Sequence, residues 1–486
     1  MSLTDTRYGA FIDGELREGR SDQLIENINP STGRAFSTFV PCNEHDVDDA
    51  VQAAGRAFAD GRWRNLPPAK KSRAMHRLAD LIEKHGDELA ELEMQEAGKL
   101  LGAARCGEIP FAAECFRYHA GWCSKIEGST KALNMAPAGQ FHSYTLREAI
   151  GVVGLITPYN GALVQSSWKV APALAAGCTI VIKPDEKTPL STLKLAELVV
   201  EAGIPHGVVN VVAGTGIDAG AALVRHPVVR KVSFTGSTET GKDIGKAALE
   251  DLKKITLELG GKSPVIVLAV ADIDKAIAGA CDAIFSNAGQ VCVAGSRLYI
   301  ESDVYDEVIA GVVARARALR IGCADDPKTE VGPLISSLHA DNVLAAVQAG
   351  VAEGAILATG GSRVENGGGF FVDPTVLVDV TQSMRIVSDE VFGPVLVASK
   401  AKDMQQCLTD SNDSAYGLAA SIWTQDVGKA HHLASEIKAG LVWINCHGIP
   451  DMAIPFGGYK QSGMGRENGL EGLYEYTELK SVICKL

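Results

Sequence analysis

Between Gly151 and Leu249 four short apolar runs alternate with helical stretches, and that rhythm limits the fold more than anything else in the chain. The runs are GVVGLIT (151–157), CTIVIK (178–183), VVNVVAG (208–214) and VRKVSFTG (229–236). Val164 to Ala176, Leu190 to Ala202 and Thr238 to Leu249 carry helical spacing between or after them. Short strands that are apolar on both faces, separated by helices, imply a parallel sheet covered on both sides. A second series starts at SPVIVLA (263–269) and continues through a helix that Asp272 can cap, with later strands in FFVDPTVLV and FGPVLVAS. A chain of 486 residues that is 46% hydrophobic can fill two or three such units rather than one.

Other segments fit neither series. The first forty residues read as short strands and turns, with Asp13-Gly14 as a hairpin signal. Helical spacing covers Val47 to Phe58, Leu78 to Leu92 and a stretch from about Gly102 to Trp122. Residues 128–147 and the tail from Glu475 to Leu486 read as extended structure belonging to neither core.

A net charge of −13 and the lack of a long Lys/Arg block argue against nucleic acid as the partner, since phosphate binding needs clustered cations. No apolar run approaches the roughly eighteen residues of a membrane span. The eleven cysteines are scattered, with no CxxC pair and no zinc spacing, so they read as reduced thiols of a cytoplasmic protein without a metal site.

Chemistry concentrates between Glu258 and Cys292, in a segment that opens ELGGKSP and closes GQVC. Cys292 follows small residues that leave room for a substrate to reach sulfur, and the thiolate is the nucleophilic form. Taken alone, one cysteine among eleven is more often a small buried apolar residue. Glu258 lies between two leucines, an expensive place for a charge that is neither used nor paired, and it can act as a base. A solvent-facing Glu on an edge strand is the alternative. Asn160, directly after a strand in Thr157-Pro158-Tyr159-Asn160, can donate to an oxyanion or serve as a turn residue. FTGSTETG, with Gly236 and Ser237, is a strand-to-helix turn able to hold a pyrophosphate. KPDE, from Lys183 to Glu186, ends a strand on the edge where doubly wound sheets bind ligands.

Together these segments resemble the aldehyde dehydrogenase superfamily over nearly the whole chain. TPYN, SSWKVAPALAAGCTIVIKPDE, FTGSTETG, LELGGKSP, the GQVC region, EVFGPV and PFGGYKQSGMGRENG occur in the family's order. The resemblance implies an α/β fold with three parts. These are a Rossmann-like NAD-binding domain (1–126 and 149–260), a catalytic α/β domain (261–461) and a small β oligomerisation flap (127–148 and 475–486). It implies NAD as cofactor, an aldehyde as substrate and a homodimer or homotetramer. Cys292 would be the nucleophile and Glu258 the general base. Asn160 and the Cys292 backbone N–H would form the oxyanion hole. Lys169 would support the active site close to the cofactor ribose, and Glu467 would be a second carboxylate for proton relay. Cofactor contacts would come from Thr157, Trp168, Lys183, Glu186, Gly236, Ser237, Glu390 and Phe392, with Glu186 favouring NAD over NADP and Trp168 beside the pyrophosphate.

The substrate pocket would comprise Gly161, Gln165, Trp168 and Phe456. Many family members carry an aromatic where Gly161 stands and an apolar residue where Gln165 stands, and Pro450 replaces a frequent ring. The expected tunnel is wide and polar, suited to a bulky, aromatic or polar-substituted aldehyde. A semialdehyde substrate is the second reading, weakened because no Arg for its carboxylate is identifiable. A CoA-acylating enzyme does not need the Glu258 base. A catalytically retired binding or structural protein would not need Cys292, Glu258, Asn160 and Lys169 together.

Overall fold

The computed structural model describes residues 7–486, so the first six residues of the expected 1–126 segment lie outside it. Its larger sheet has eight strands. In spatial order they are Glu15–Arg17, Ala10–Ile12, Val209–Val212, Thr179–Lys183, Val152–Ile156, Val229–Thr235, Lys254–Glu258 and Gly463–Met464. The strands from Val209–Val212 to Lys254–Glu258 are mutually parallel, and every residue of Val152–Ile156 and Thr179–Lys183 is buried, as covering on both faces requires. The antiparallel edge at Ala10–Ile12 is made by a two-residue turn in which Asp13 and Gly14 take φ of 52° and 89°.

From Val152–Ile156 the chain adds Thr179–Lys183 and Val209–Val212 on one side, then returns to add Val229–Thr235 and Lys254–Glu258 on the other. The strand order therefore reverses between Val152–Ile156 and Val229–Thr235. The connections leaving their carboxyl ends therefore run in opposite directions, which opens a crevice there.

The second sheet has seven strands, ordered Ile356–Thr359, Thr375–Val378, Val395–Ala401, Arg297–Glu301, Pro264–Val267, Ala419–Trp423 and Leu441–Ile444. All neighbours are parallel except the first pair. Asp272 caps the helix Ile273–Phe285, accepting from the Lys275 N–H at 3.2 Å. FFVDPTVLV is not one strand. Asp373-Pro374 divides it into Phe371–Val372 and Thr375–Val378, because proline has no N–H for a ladder. The expected helix from about Gly102 also departs from regularity. It widens into a π turn over Ala104–Glu108 just before Pro110, whose missing N–H cannot continue the i→i−4 ladder.

The two orphan extended segments pair with each other. Phe141–Ala149 and Thr477–Lys485 form an antiparallel ribbon, from Phe141 against Lys485 to Ala149 against Thr477, that joins neither large sheet. All eleven cysteines are free. No helix among the described residues is long and apolar enough to cross a membrane, and no trio of His, Cys, Asp or Glu among them is arranged to hold a metal ion.

Candidate active site

After the helix Ile273–Phe285 the chain reverses through Asn287, Ala288 and Gly289, all left-handed at φ of 50°, 52° and 72°. Gly289 has no substitute there, since a Cβ would lie 2.1 Å from the Gly393 carbonyl oxygen. The Gln290 side chain locks the turn, donating to Pro333 O at 3.3 Å and accepting from the Ile335 N–H at 2.9 Å. The reversal presents Cys292, partly exposed, in a cavity rather than in the interior. Burial pushes its thiol up to about 12, helped by the charges of Glu390 and Glu258 and opposed by the N–H groups of Val293 and Cys292.

Asn160 reaches the same place from the other sheet. It sits in a 3₁₀ turn, Tyr159–Gly161, between the strand Val152–Ile156 and the helix Ala162–Ala176. Its amide donates to Gln290 O at 3.0 Å, tying the reversal point of the first sheet to the cysteine turn.

Three adjoining spaces meet around these residues. An outer cleft of about 800 Å³ runs along the carboxyl ends of the first sheet and is lined by Thr157, Lys183, Glu186, Gly236 and Ser237. Ser237 caps the helix Thr238–Leu249, accepting from the Thr240 N–H at 3.3 Å, and Lys183 Nζ lies 3.6 Å from Glu186. Gly236 and Ser237 continue into an inner chamber of about 240 Å³ with Glu390, Phe392, Asn160, Gln165 and Cys292. Glu390 accepts from the Gly261 N–H at 2.9 Å, and burial raises its carboxyl to about 7. Phe392 packs edge-on against Tyr159 at 6.1 Å.

On the other side of Cys292 lies a cavity of about 750 Å³, whose wall includes Phe111, Gly161, Gln165, Trp168, Trp443, Pro450 and Phe456. The Trp168 ring lies 6.0 Å from Phe111 and 5.1 Å from Phe456. This corrects one expectation. Trp168 faces the 750 Å³ cavity and lines neither the cleft nor the inner chamber, so it is not placed beside a pyrophosphate. It is seven residues into its helix, pointing away from the crevice that the helix start faces.

Behind the cysteine lies a buried ionic group. Glu258 ends the strand Lys254–Glu258, is 3% exposed, and neither of its carboxylate oxygens has a hydrogen-bond partner. Its pKa is raised well above the usual range, first by burial and then by Glu467, against the opposing charges of Lys169 and Arg466. Lys169 is fully buried. It pairs with Glu467 and donates to Ser233 Oγ at 3.0 Å, and the Ser233 hydroxyl donates on to Glu467 at 3.2 Å. Lys169 does not line the outer cleft, because its ammonium turns into the protein toward Glu467. The Glu258 carboxylate lines neither space that Cys292 lines, because its side chain turns to the position left by Gly457, where a Cβ would stand 2.6 Å from Oε1.

Phe111 and Trp443 were not anticipated as site residues. A lone aromatic on a helix or strand carries no mark that separates a cavity wall from a core.

The arrangement pairs a thiol with an amide donor, has a carboxyl group behind it, and separates a long cleft from an aromatic cavity. Comparison with known proteins fits that geometry. The aldehyde dehydrogenase family model matches residues 16–482. The chain is 45% identical over 476 residues to phenylacetaldehyde dehydrogenase of Pseudomonas fluorescens, covering 97% of this chain and 95% of that one. It is 44% identical over 478 residues to the mitochondrial aldehyde dehydrogenase of Rattus norvegicus, covering 98% and 91%. An NAD+ complex of aldehyde dehydrogenase from Bacillus cereus superposes with a TM-score of 0.97 at 44% identity, covering 100% of this chain and 98% of that chain.

Proposed function

The chain belongs to the aldehyde dehydrogenase family, and from that premise we propose that it oxidises bulky, aromatic or polar-substituted aldehydes to their carboxylic acids with NAD as hydride acceptor. The observation that carries the substrate class is the 750 Å³ cavity in front of Cys292. Its Phe111, Trp168 and Phe456 rings form a continuous wall, Phe111 edge-on to Trp168 and Phe456 tilted against it, on which an aryl group can stack. The side-chain oxygen of Gln165 is buried without a partner, so its amide is free to serve a polar substituent. Lys99 also lines this cavity, but it pairs with Glu108 and lies 3.7 Å from Glu93. A carboxylate would find no free cation there, which disfavours the semialdehyde reading. The identity figures do not choose a substrate, since relatives with different printed names stand at 45% and 44%.

The outer cleft fits a dinucleotide. The helix start at Ser237 offers unpaired N–H groups for a pyrophosphate, and Glu186 beside Lys183 offers a ribose acceptor that would repel a 2′-phosphate. NAD bound there supplies the hydride acceptor. In this reading Cys292 gives its thiol proton to the ionised Glu258 carboxylate, which passes it to solvent, and the thiolate Sγ attacks the aldehyde carbon. The oxyanion of the resulting thiohemiacetal is held by the Asn160 amide and the Cys292 N–H. Loss of hydride leaves a thioester on Cys292. Glu258, in its ionised form and turned toward Cys292, takes a proton from the water that releases the acid. Lys169 and Glu467 set the charge around Glu258 from behind. The same reading gives 1–126 and 149–260 to cofactor binding and 261–461 to catalysis. It gives 127–148 with 475–486 to assembly of a homodimer or homotetramer, a role supported by the exposed Leu479 and Ile483 on the ribbon.

NADH formation at 340 nm with a panel of aldehydes tests the proposal. A higher kcat/KM for phenylacetaldehyde or benzaldehyde than for acetaldehyde is expected. A preference for acetaldehyde would overturn the substrate class, and no turnover with any aldehyde would favour a retired enzyme.

A further inference from the structure

Residues 291–295, which carry Cys292, form no helix or strand. Their own backbone supplies only a few anchors, among them Ala294 N–H to Val291 O at 3.0 Å and Gly295 N–H to Ala283 O at 2.9 Å. Among the described residues, one side chain bonds to this segment. The His447 ring reaches Val293 O, with Nε2 at 2.8 Å.

The geometry fixes the state of that ring. A carbonyl oxygen only accepts, so Nε2 carries the proton. Nδ1, 3.1 Å from Ser421 Oγ, then accepts from the serine hydroxyl. Ser421 is fully buried in the strand Ala419–Trp423, in the body of the second sheet. Burial pushes the His447 pKa down to about 4, against the bond to Val293, so the ring stays neutral through the working range.

The backbone and the neighbours beside the ring are also fixed. Asn445, left-handed at φ 55°, exchanges two hydrogen bonds of 2.9 Å with the Thr424 backbone. The Trp443 ring lies 5.0 Å from the imidazole and also lines the large cavity. Gly295 lets Val265, Ala283 and the ring pack close to the segment, since a Cβ there would come within 2.5 Å of Val265 Cγ2, 2.9 Å of Ala283 Cβ and 3.3 Å of His447 Cε1.

We propose that His447 is a positioning residue for the nucleophile. Cys292 is clamped through the carbonyls on either side of it, Gln290 O held by Asn160 and Val293 O held by His447. With both fixed, the direction of Sγ and of the Cys292 N–H is set before an aldehyde arrives. The inference rests on the reading of Cys292 as nucleophile.

The test uses the intact enzyme with His447→Leu, His447→Gln and Ser421→Ala. Leu keeps bulk and removes the donor, whereas Gln can place an amide N–H near Nε2. Displacement of a reacting group by about 1 Å costs on the order of 100-fold, so His447→Leu should lower kcat roughly 10- to 100-fold. It should also slow alkylation of Cys292 by iodoacetamide at fixed pH, while KM for NAD and the melting temperature hold. His447→Gln should recover most of the turnover and the alkylation rate. A folded His447→Leu enzyme with wild-type kcat would overturn the proposal, and so would equal losses in the Leu and Gln variants, which would mark a packing role. If His447→Leu does not fold, Ser421→Ala decides. Lowered kcat with Gln still active supports the clamp, and unchanged kcat ends it. Turnover surviving in Cys292→Ala would instead remove the underlying reading, so the two failures are distinguishable.

Discussion

Replacing Gly161 by Phe should narrow the wide cavity in front of Cys292, and the size of the effect on the proposed substrates follows from local geometry. Gly161 has φ of −159°, so a side chain there meets no left-handed strain. A Cβ would stand 3.3 Å from Gln165 Cγ, a flexible neighbour that needs to move only a few tenths of an ångström. Gly161 is buried and lines the 750 Å³ cavity, so the added ring has that cavity to enter. There it takes the space an aryl substrate would use. Burying a phenyl-sized group contributes about 1.5–3 kcal/mol. Loss of that contribution is roughly a 10- to 150-fold fall in kcat/KM for phenylacetaldehyde. Acetaldehyde has no aryl group to displace, so the ratio of the two kcat/KM values should fall by one to two orders of magnitude. Initial rates of NADH formation for both aldehydes, with a melting curve to confirm folding, measure it. An unchanged or increased ratio in a folded variant would refute the idea that the aryl group lies against this wall.

Other outcomes follow from the groups around the sulfur. Cys292→Ala should abolish NADH formation while leaving NAD binding intact by calorimetry, and turnover in that variant would remove the covalent mechanism. The raised pKa of Glu258 means that its base form grows as pH rises, so hydrolysis-limited kcat should climb on the alkaline side, and Glu258→Gln should flatten that limb. The Glu467 carboxylate adds to the upward shift, so Glu467→Gln should lower the Glu258 pKa and move the limb to lower pH. A limb that stays in place or moves upward would contradict this account of the buried carboxyls.

The alternating strands and helices were legible because burial on both faces of a parallel sheet leaves a continuous apolar run in the chain, as at Val152–Ile156. Asp272 and the Asp13-Gly14 turn were legible for the same kind of reason, since each acts on its own neighbours. What escaped acts across long separations. Glu96, fully buried on the helix Gly86–Ala97, accepts from the Leu190 and Ser191 N–H groups at the start of another helix. Glu93 does the same for Leu163. Those helices follow Pro189 and Gly161, which have no capping side chain, and nothing nearby in the chain says where the missing acceptor is. In the candidate site, Cys292 and Asn160 could be singled out by their neighbours. The facing of Trp168 and Lys169 to opposite environments could not, because it depends on how the helix Ala162–Ala176 is rotated against both sheets.

The two spaces on either side of Cys292 share little besides Asn160, Gln165 and the cysteine itself. One sulfur is thus reachable by two separate doors. A carboxylic acid departing through the aromatic side does not have to pass the nucleotide, so neither steric route dictates which product leaves first. The same partition means that electrophiles of quite different shape, one built like a nucleotide and one like an aryl aldehyde, would label a single atom and protect it from each other.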